Sequence, residues 1–155
     1  MENNIEDLCE ACMRGNTKEV KERLTIGSNE VDINDTYDGC TPLMWAIKYN
    51  QVDTLKFLLT CSELQLYKTT RDRFGNTALH LASCYDYVPI LRLVCQDRRC
   101  TPTIVNMKNR WGETALMMAV DRGFLDVVKE MEMLEGTDFY KGQQRENPDR
   151  CFQDE

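Results

Sequence analysis

Three stretches of this chain can be laid over one another without a gap: DGCTPLMWA from Asp38 to Ala46, FGNTALHLA from Phe74 to Ala82, and WGETALMMA from Trp111 to Ala119. Each reads x-G-x-T-(P/A)-L-x-x-A, and the glycines Gly39, Gly75 and Gly112 stand 36 and 37 residues apart. A period of that size confines a chain to repeat architectures, in which one helical unit recurs and each copy buries its apolar face only against its neighbours. A weaker copy comes first. Leu8 and Ala11 precede Leu43 and Ala46 by 35 residues, and Gly15 then aligns with Asn50, Asp86 and Gly123. This copy lacks the glycine turn, as an atypical terminal repeat does.

Every part of the motif has a local physical reason. Thr41, Thr77 and Thr114 precede apolar helical runs, where a threonine oxygen can accept from an otherwise unpaired backbone N–H of the first turn. Pro42 at the first helical position presets the backbone without removing a needed donor. Leucine and alanine three residues apart, as in Leu79 and Ala82, fall on one helix face, and the small alanine lets a neighbouring helix approach. The second helices carry stripes at Val52, Leu55, Leu58 and Leu59, at Val88, Leu91, Val94 and Cys95, and at Leu125, Val128 and Met131. Pro89 belongs in a first turn, so the second helix of that copy is expected to begin near Tyr87 or Val88.

These segments resemble ankyrin repeats, whose hallmark is a turn followed by T-P-L-H-x-A and two antiparallel helices over about 33 residues. TALHLA at 77–82 keeps the histidine, while Met44 and Met117 stand in its place elsewhere. The V-N-x-x-D lead into the next turn survives as Val105, Asn106 and Asn109, and more loosely as Ile33 and Asn34 before Tyr37. The resemblance runs from Ile5 to Leu134. It implies an all-α solenoid of helix-turn-helix units with short β-turn or hairpin tips. The repeat domain is expected at 1–134, with repeats at approximately 1–35, 36–71, 72–108 and 109–134. Residues 135–155 lose the periodicity and are expected to form a loosely ordered tail or partial cap. The connections at 25–35, 60–71 and 96–108 are longer than the family's norm, which loop entropy tolerates cheaply.

Composition narrows the function. The chain has 155 residues, a formal charge of −7 and a pI near 4.8, whereas a grip on phosphate backbones or anionic lipid needs a basic excess. Neither nucleic acid nor membrane is an expected partner, and no signal peptide or membrane-span pattern appears. The eight cysteines are spread through helical patterns rather than set out as a disulfide framework. A cytoplasmic or nuclear location and a monomer when alone are therefore expected. His80 is the only histidine, and the resemblance gives it a structural role, bonding neighbouring backbone and tying repeats together. Cys9 and Cys12 form a C-x-x-C inside a helical pattern with no second pair beside it, so core packing is preferred over a metal or redox site. Cys95 and Cys100 are equally isolated. No phosphate loop or nucleophile with a base is present, so no catalytic, cofactor or metal residue is assigned and the chain is read as a non-enzyme.

The family's architecture puts turn tips and exposed first-helix ends on one concave face. Carried over by register, that face holds Tyr37, Asp38, Lys48, Tyr49, Arg73, Phe74, Asn76, Tyr85, Arg110, Trp111, Glu113 and Arg122. Trp45, Leu81 and Met118 are assigned to the core, and the charge run Lys18 to Arg23 to a solvated helix face. Aromatic and arginine side chains are common binding hot spots. The expected partner is another protein with an acidic surface or an extended peptide. The expected function is an inhibitor, scaffold or regulatory subunit, in a kinase or cell-cycle complex by analogy with ankyrin inhibitors of cyclin-dependent kinases. The alternatives are an inhibitor of transcription factors resembling small I-kappa-B proteins, or an N-terminal targeting segment of a larger protein.

Overall fold

A computed structural model describes residues 4–26, 31–64 and 72–134. Among the described residues the secondary structure is helical: α1 (Ile5–Arg14), α2 (Thr17–Ile26), α3 (Pro42–Lys48), α4 (Val52–Thr60), α5 (Ala78–Cys84), α6 (Val88–Gln96), α7 (Pro102–Val105), α8 (Ala115–Arg122) and α9 (Leu125–Glu132). The first helices α1, α3, α5 and α8 pack in sequence to form one row, and the second helices α2, α4, α6 and α9 form the other. One core runs through the stack. Leu8, Leu43, Leu79 and Leu116 lie in it together with Ala11, Ala46, Ala82 and Ala119. Burying such leucines beside alanines lets helix axes come close and removes apolar surface from water, at about 25 cal/mol per Å².

The caps follow the motif. Thr41 Oγ1 accepts from Met44 N at 3.3 Å with Pro42 opening α3, and Thr114 Oγ1 accepts from Met117 N at 3.2 Å. Between the two helices of each repeat the chain enters the left-handed region at one register position, occupied by Gly15, Asn50, Asp86 and Gly123 with φ of 70°, 55°, 54° and 71°. Asn and Asp are the side chains that tolerate this conformation best after glycine. The alignment of those four residues in the sequence was therefore an alignment of one turn.

Two expectations need correction. The hairpin tips are absent: no β-strand occurs among the described residues, and the single bridge pairs Tyr37 with Cys40 inside one turn. The reason lies in the tip side chains described below, which take the backbone donors that a ladder would need. Leu125 does not join the buried stripe of α9 either. It is 69% exposed at the helix start, while Val127 and Met131 carry the burial. Val120, 51% exposed, fills the register position of Cys12, Ile47 and Ser83, which are fully buried because another repeat follows them. The α8–α9 pair is the last among the described residues, and the expected tail at 135–155 lies outside them.

The long connection after α6 is built rather than loose. Its short helix α7 buries Ile104 and Val105, and Arg99 reaches back to the preceding repeat. The guanidinium donates to the carbonyls of Leu59 at 2.8 Å, Leu64 at 3.1 Å and Cys61 at 3.2 Å, and is held by Asp97. These carbonyls lie at or just beyond the end of α4, where a helix leaves acceptors unpaired. In the connection before the second repeat, Asn34 Nδ2 donates to Glu63 O at 2.9 Å. Parts of the two earlier connections, 27–30 and 65–71, lie outside the described residues.

Leu79 is fully buried where α5 meets α3, α6 and α8. Leu79→Ala is expected to destabilise the chain by roughly 2–5 kcal/mol, read as a lowered urea midpoint with an unchanged slope.

Candidate functional site

The tips of the third and fourth repeats are closed by one side chain each. Asp72 Oδ1 accepts from Phe74 N at 2.9 Å and from Asn76 N at 2.8 Å, and its Oδ2 accepts from Asn76 Nδ2 at 3.0 Å. Asn109 Oδ1 repeats the arrangement, accepting from Trp111 N and Glu113 N, both at 3.0 Å. The second repeat has Thr36 at this position and closes its turn instead by mutual backbone bonds between Tyr37 and Cys40. Adjacent tips touch directly, because Asn109 Nδ2 donates to Asn76 Oδ1 at 3.1 Å and Arg110 N donates to Phe74 O at 3.0 Å. The ring of His80 locks the same interface. Its Nδ1 accepts from Thr77 N at 3.2 Å, so the ring is neutral and Nε2–H donates to Glu113 O at 3.0 Å.

This network divides the sequence-predicted residues into two groups. Asn76 and Glu113 are 2% and 8% exposed, and their polar groups are engaged inside the tips. The others are displayed. Asp38, Tyr49, Arg73 and Arg110 are exposed, while Tyr37, Lys48, Phe74, Tyr85, Trp111 and Arg122 are half-buried. Phe74 and Trp111 stack with centroids 5.4 Å apart, and the Arg73 guanidinium sits 5.2 Å from the Phe74 ring. Tyr85 stacks on Tyr87 at 5.7 Å.

Trp45 belongs to the displayed group although the repeat register assigned it to the core with Leu81 and Met118. The latter two are buried as expected, whereas the indole packs against the core but is only half-buried, with Nε1 donating to Tyr37 O at 3.1 Å. Its ring lies 6.5 Å from Tyr37 and 6.1 Å from Tyr49, with Lys48 Nζ 4.9 Å from its centroid. Tyr37, Trp45, Lys48 and Tyr49 therefore make one aromatic patch, and Phe74 with Trp111 and Arg73 makes another. Asp72 was also missed in the sequence. The signal was present, since Asp72 and Asn109 both stand three residues before a tip glycine.

Cys9 and Cys12 are fully buried free thiols in the core of the first repeat. Burial pushes the Cys9 thiol up to about 12 and raises that of Cys12 as well. Among the described residues no group of three or more His, Cys, Asp or Glu side chains is arranged to hold a metal ion, and no helix is long and apolar enough to cross a membrane.

A stack of helix pairs with turn tips carrying a displayed side-chain ladder defines a repeat-protein scaffold for protein–protein interaction. Ankyrin repeats in three copies match residues 6–72 and 62–141, and the chain belongs to the ankyrin-repeat family. It is accordingly a protein–protein interaction module. A transient receptor potential cation channel subfamily A member 1 homolog of Caenorhabditis elegans is 32% identical over 91 residues, covering 57% of this chain and 7% of that protein. The chain thus matches only a small part of that relative's length.

Three outcomes follow from this geometry. An ideal Cβ on Gly75 would lie 3.1 Å from Arg110 N, whereas one on Gly112 would meet nothing within 4 Å, and both residues have positive φ. Gly75→Ala is expected to cost roughly 1 kcal/mol more than Gly112→Ala in urea unfolding, because only the former also forces two tips apart. Cys9 and Cys12 should resist a thiol reagent in the native state near neutral pH. Cys9 and Cys95 titrate near 12 when folded against 9.0 for a free thiol. The unfolded chain therefore loses these protons first, and stability should fall as pH rises between about 9 and 12, as a falling urea midpoint.

Proposed function

We propose that this module binds its partner through the concave face formed by the repeat tips and the exposed ends of the first helices, using Tyr37, Asp38, Lys48, Tyr49, Arg73, Phe74, Tyr85, Arg110, Trp111 and Arg122, with Trp45 added. The observation that carries the reading is the pair of aromatic patches on that side. Tyr49 is 54% exposed beside Trp45, and Phe74 stacks on Trp111 one repeat further on. Aromatic rings held rigid before binding lose little freedom when a partner covers them, so they return much of their buried area as affinity. Asn76 and Glu113 shape the tips and are left out of the contact set.

In this reading the chain restrains or recruits a partner protein without chemistry of its own. A regulatory subunit of a kinase or cell-cycle complex is one version, and an inhibitor resembling small I-kappa-B proteins is another; both rest on analogy within the family. The likeness to a segment of a channel homolog favours a further version, in which the repeats are a docking segment of a larger protein.

The test is partner recovery by affinity purification with wild type, Tyr49→Ala/Arg110→Glu and Phe74→Ala/Trp111→Ala, each checked for folding by circular dichroism. Recovery is expected to fall at least about tenfold for both pairs, the loss of more than one hot-spot contact. Because Tyr49 and Arg110 are exposed, that variant reports binding even if loss of the Phe74–Trp111 stack disturbs the fold. Undiminished recovery with both would remove the concave face from the argument.

A further inference from the structure

We infer, resting on the concave-face reading above, that the partner is an extended acidic segment of another protein with apolar anchors, and that it lies in one direction, its carboxylates against the third and fourth repeats. The face is charged in opposite senses along the stack. Toward the first repeat stand the exposed Glu6, Glu10 and Asp38, whose charges act on the Tyr37 hydroxyl; that hydroxyl donates to Glu6, and Glu10 is paired with Arg14 at 3.3 Å. Toward the other end stand Lys48, Arg73, Arg110 and Arg122. The acids on that side include Asp72, buried and bonded to its own turn, Glu113, buried against Asn109, and the exposed Asp121 beside Arg122.

These cations are set in place by the fold. Lys48 and Arg73 lie over the rings of Trp45 and Phe74 at 4.9 and 5.2 Å. The Arg110 side chain runs against the bare Cα of Gly75, its Cγ 3.1 Å from where a Cβ would stand, and Arg73 lies against Gly39 in the same way, with its Cβ at 3.8 Å. The half-buried Tyr85 hydroxyl lies in the field of both Lys48 and Arg122, which joins the inner helices to the basic end. A carboxylate arriving there meets guanidinium forks whose stems are already packed, so less side-chain entropy is lost than at a mobile arginine. The chain as a whole carries −7, so an acidic partner is repelled by the molecule at long range and attracted by this patch at short range, which favours specificity over bulk affinity. A nucleic acid strand suits this face less well, because its uniform negative charge would also have to cross Glu6, Glu10 and Asp38.

The experiment is selection of a displayed random-peptide library on the full chain, followed by affinity measurement of synthetic winners. The expected winners carry Asp or Glu next to Phe, Leu or Trp. They should bind at least about tenfold more weakly to Arg73→Glu/Arg110→Glu, with Arg73→Gln/Arg110→Gln as the milder variant if the first misfolds. Glu6→Gln/Glu10→Gln should leave their affinity unchanged or tighter. A photo-crosslinker placed beside the acidic residues should label 72–122 rather than 4–38. Winners without acidic bias that still fail on Phe74→Ala/Trp111→Ala would overturn this inference and leave the concave-face reading standing. Winners indifferent to every variant would overturn both. No enrichment, or tighter binding of a single-stranded oligonucleotide than of any winner, would also overturn the acidic-segment inference.

Discussion

No helix pair in this chain can bury the face it makes, and the contact between successive pairs is the constraint from which everything else follows. Leu79 and Ala82 reach zero exposure only because α3 lies on one side of α5 and α8 on the other. The polar groups reinforce the same spacing. His80 spans from its own cap to the carbonyl of Glu113, and Asn109 donates across to Asn76. A neutral imidazole bonded at both nitrogens fixes the separation of two helices more sharply than leucine packing, because hydrogen bonds weaken quickly with distance and angle.

Much of this register was legible in the sequence. Threonine caps, the leucine and alanine of each first helix, the helix start near Pro89 and the left-handed turn shared by Gly15, Asn50, Asp86 and Gly123 all depend on local chemistry that recurs, so alignment of the repeats exposes them. What escaped depends on side-chain size and reach. Hairpin tips were expected from the family pattern, but Asp72 and Asn109 bond the N–H groups inside their own turns, and neighbouring tips share one backbone bond in place of a ladder. Trp45 shares a position with Leu81 and Met118 and packs against the same core, yet its longer indole also reaches the Tyr37 carbonyl and stays half-exposed. Asn76 and Glu113 looked like displayed tip residues because a period reports position along the chain and not orientation.

The tips divide their labour residue by residue. In the third repeat Asp72 and Asn76 build the turn while Arg73 and Phe74, lying between them, are displayed; in the fourth, Asn109 and Glu113 build while Arg110 and Trp111 are displayed. The outward pair can therefore change without loss of the turn, provided the inward pair and the glycine are kept. Such a separation is what a binding scaffold needs, because specificity then varies on a frame whose stability is set elsewhere.

Arg99 gives the longer connection a meaning that reaches beyond its own repeat. By holding the carbonyls of Leu59, Cys61 and Leu64, it makes the end of α4 complete only when the next repeat is folded. In a one-dimensional array, stability is divided between what each unit has alone and what it gains from its neighbour. Here a helix terminus has been moved from the first account to the second. Opening of the strand of chain around Arg99 would thus be felt backwards, as fraying of a helix some forty residues earlier, and the middle of the solenoid would open as a cooperative unit larger than one repeat.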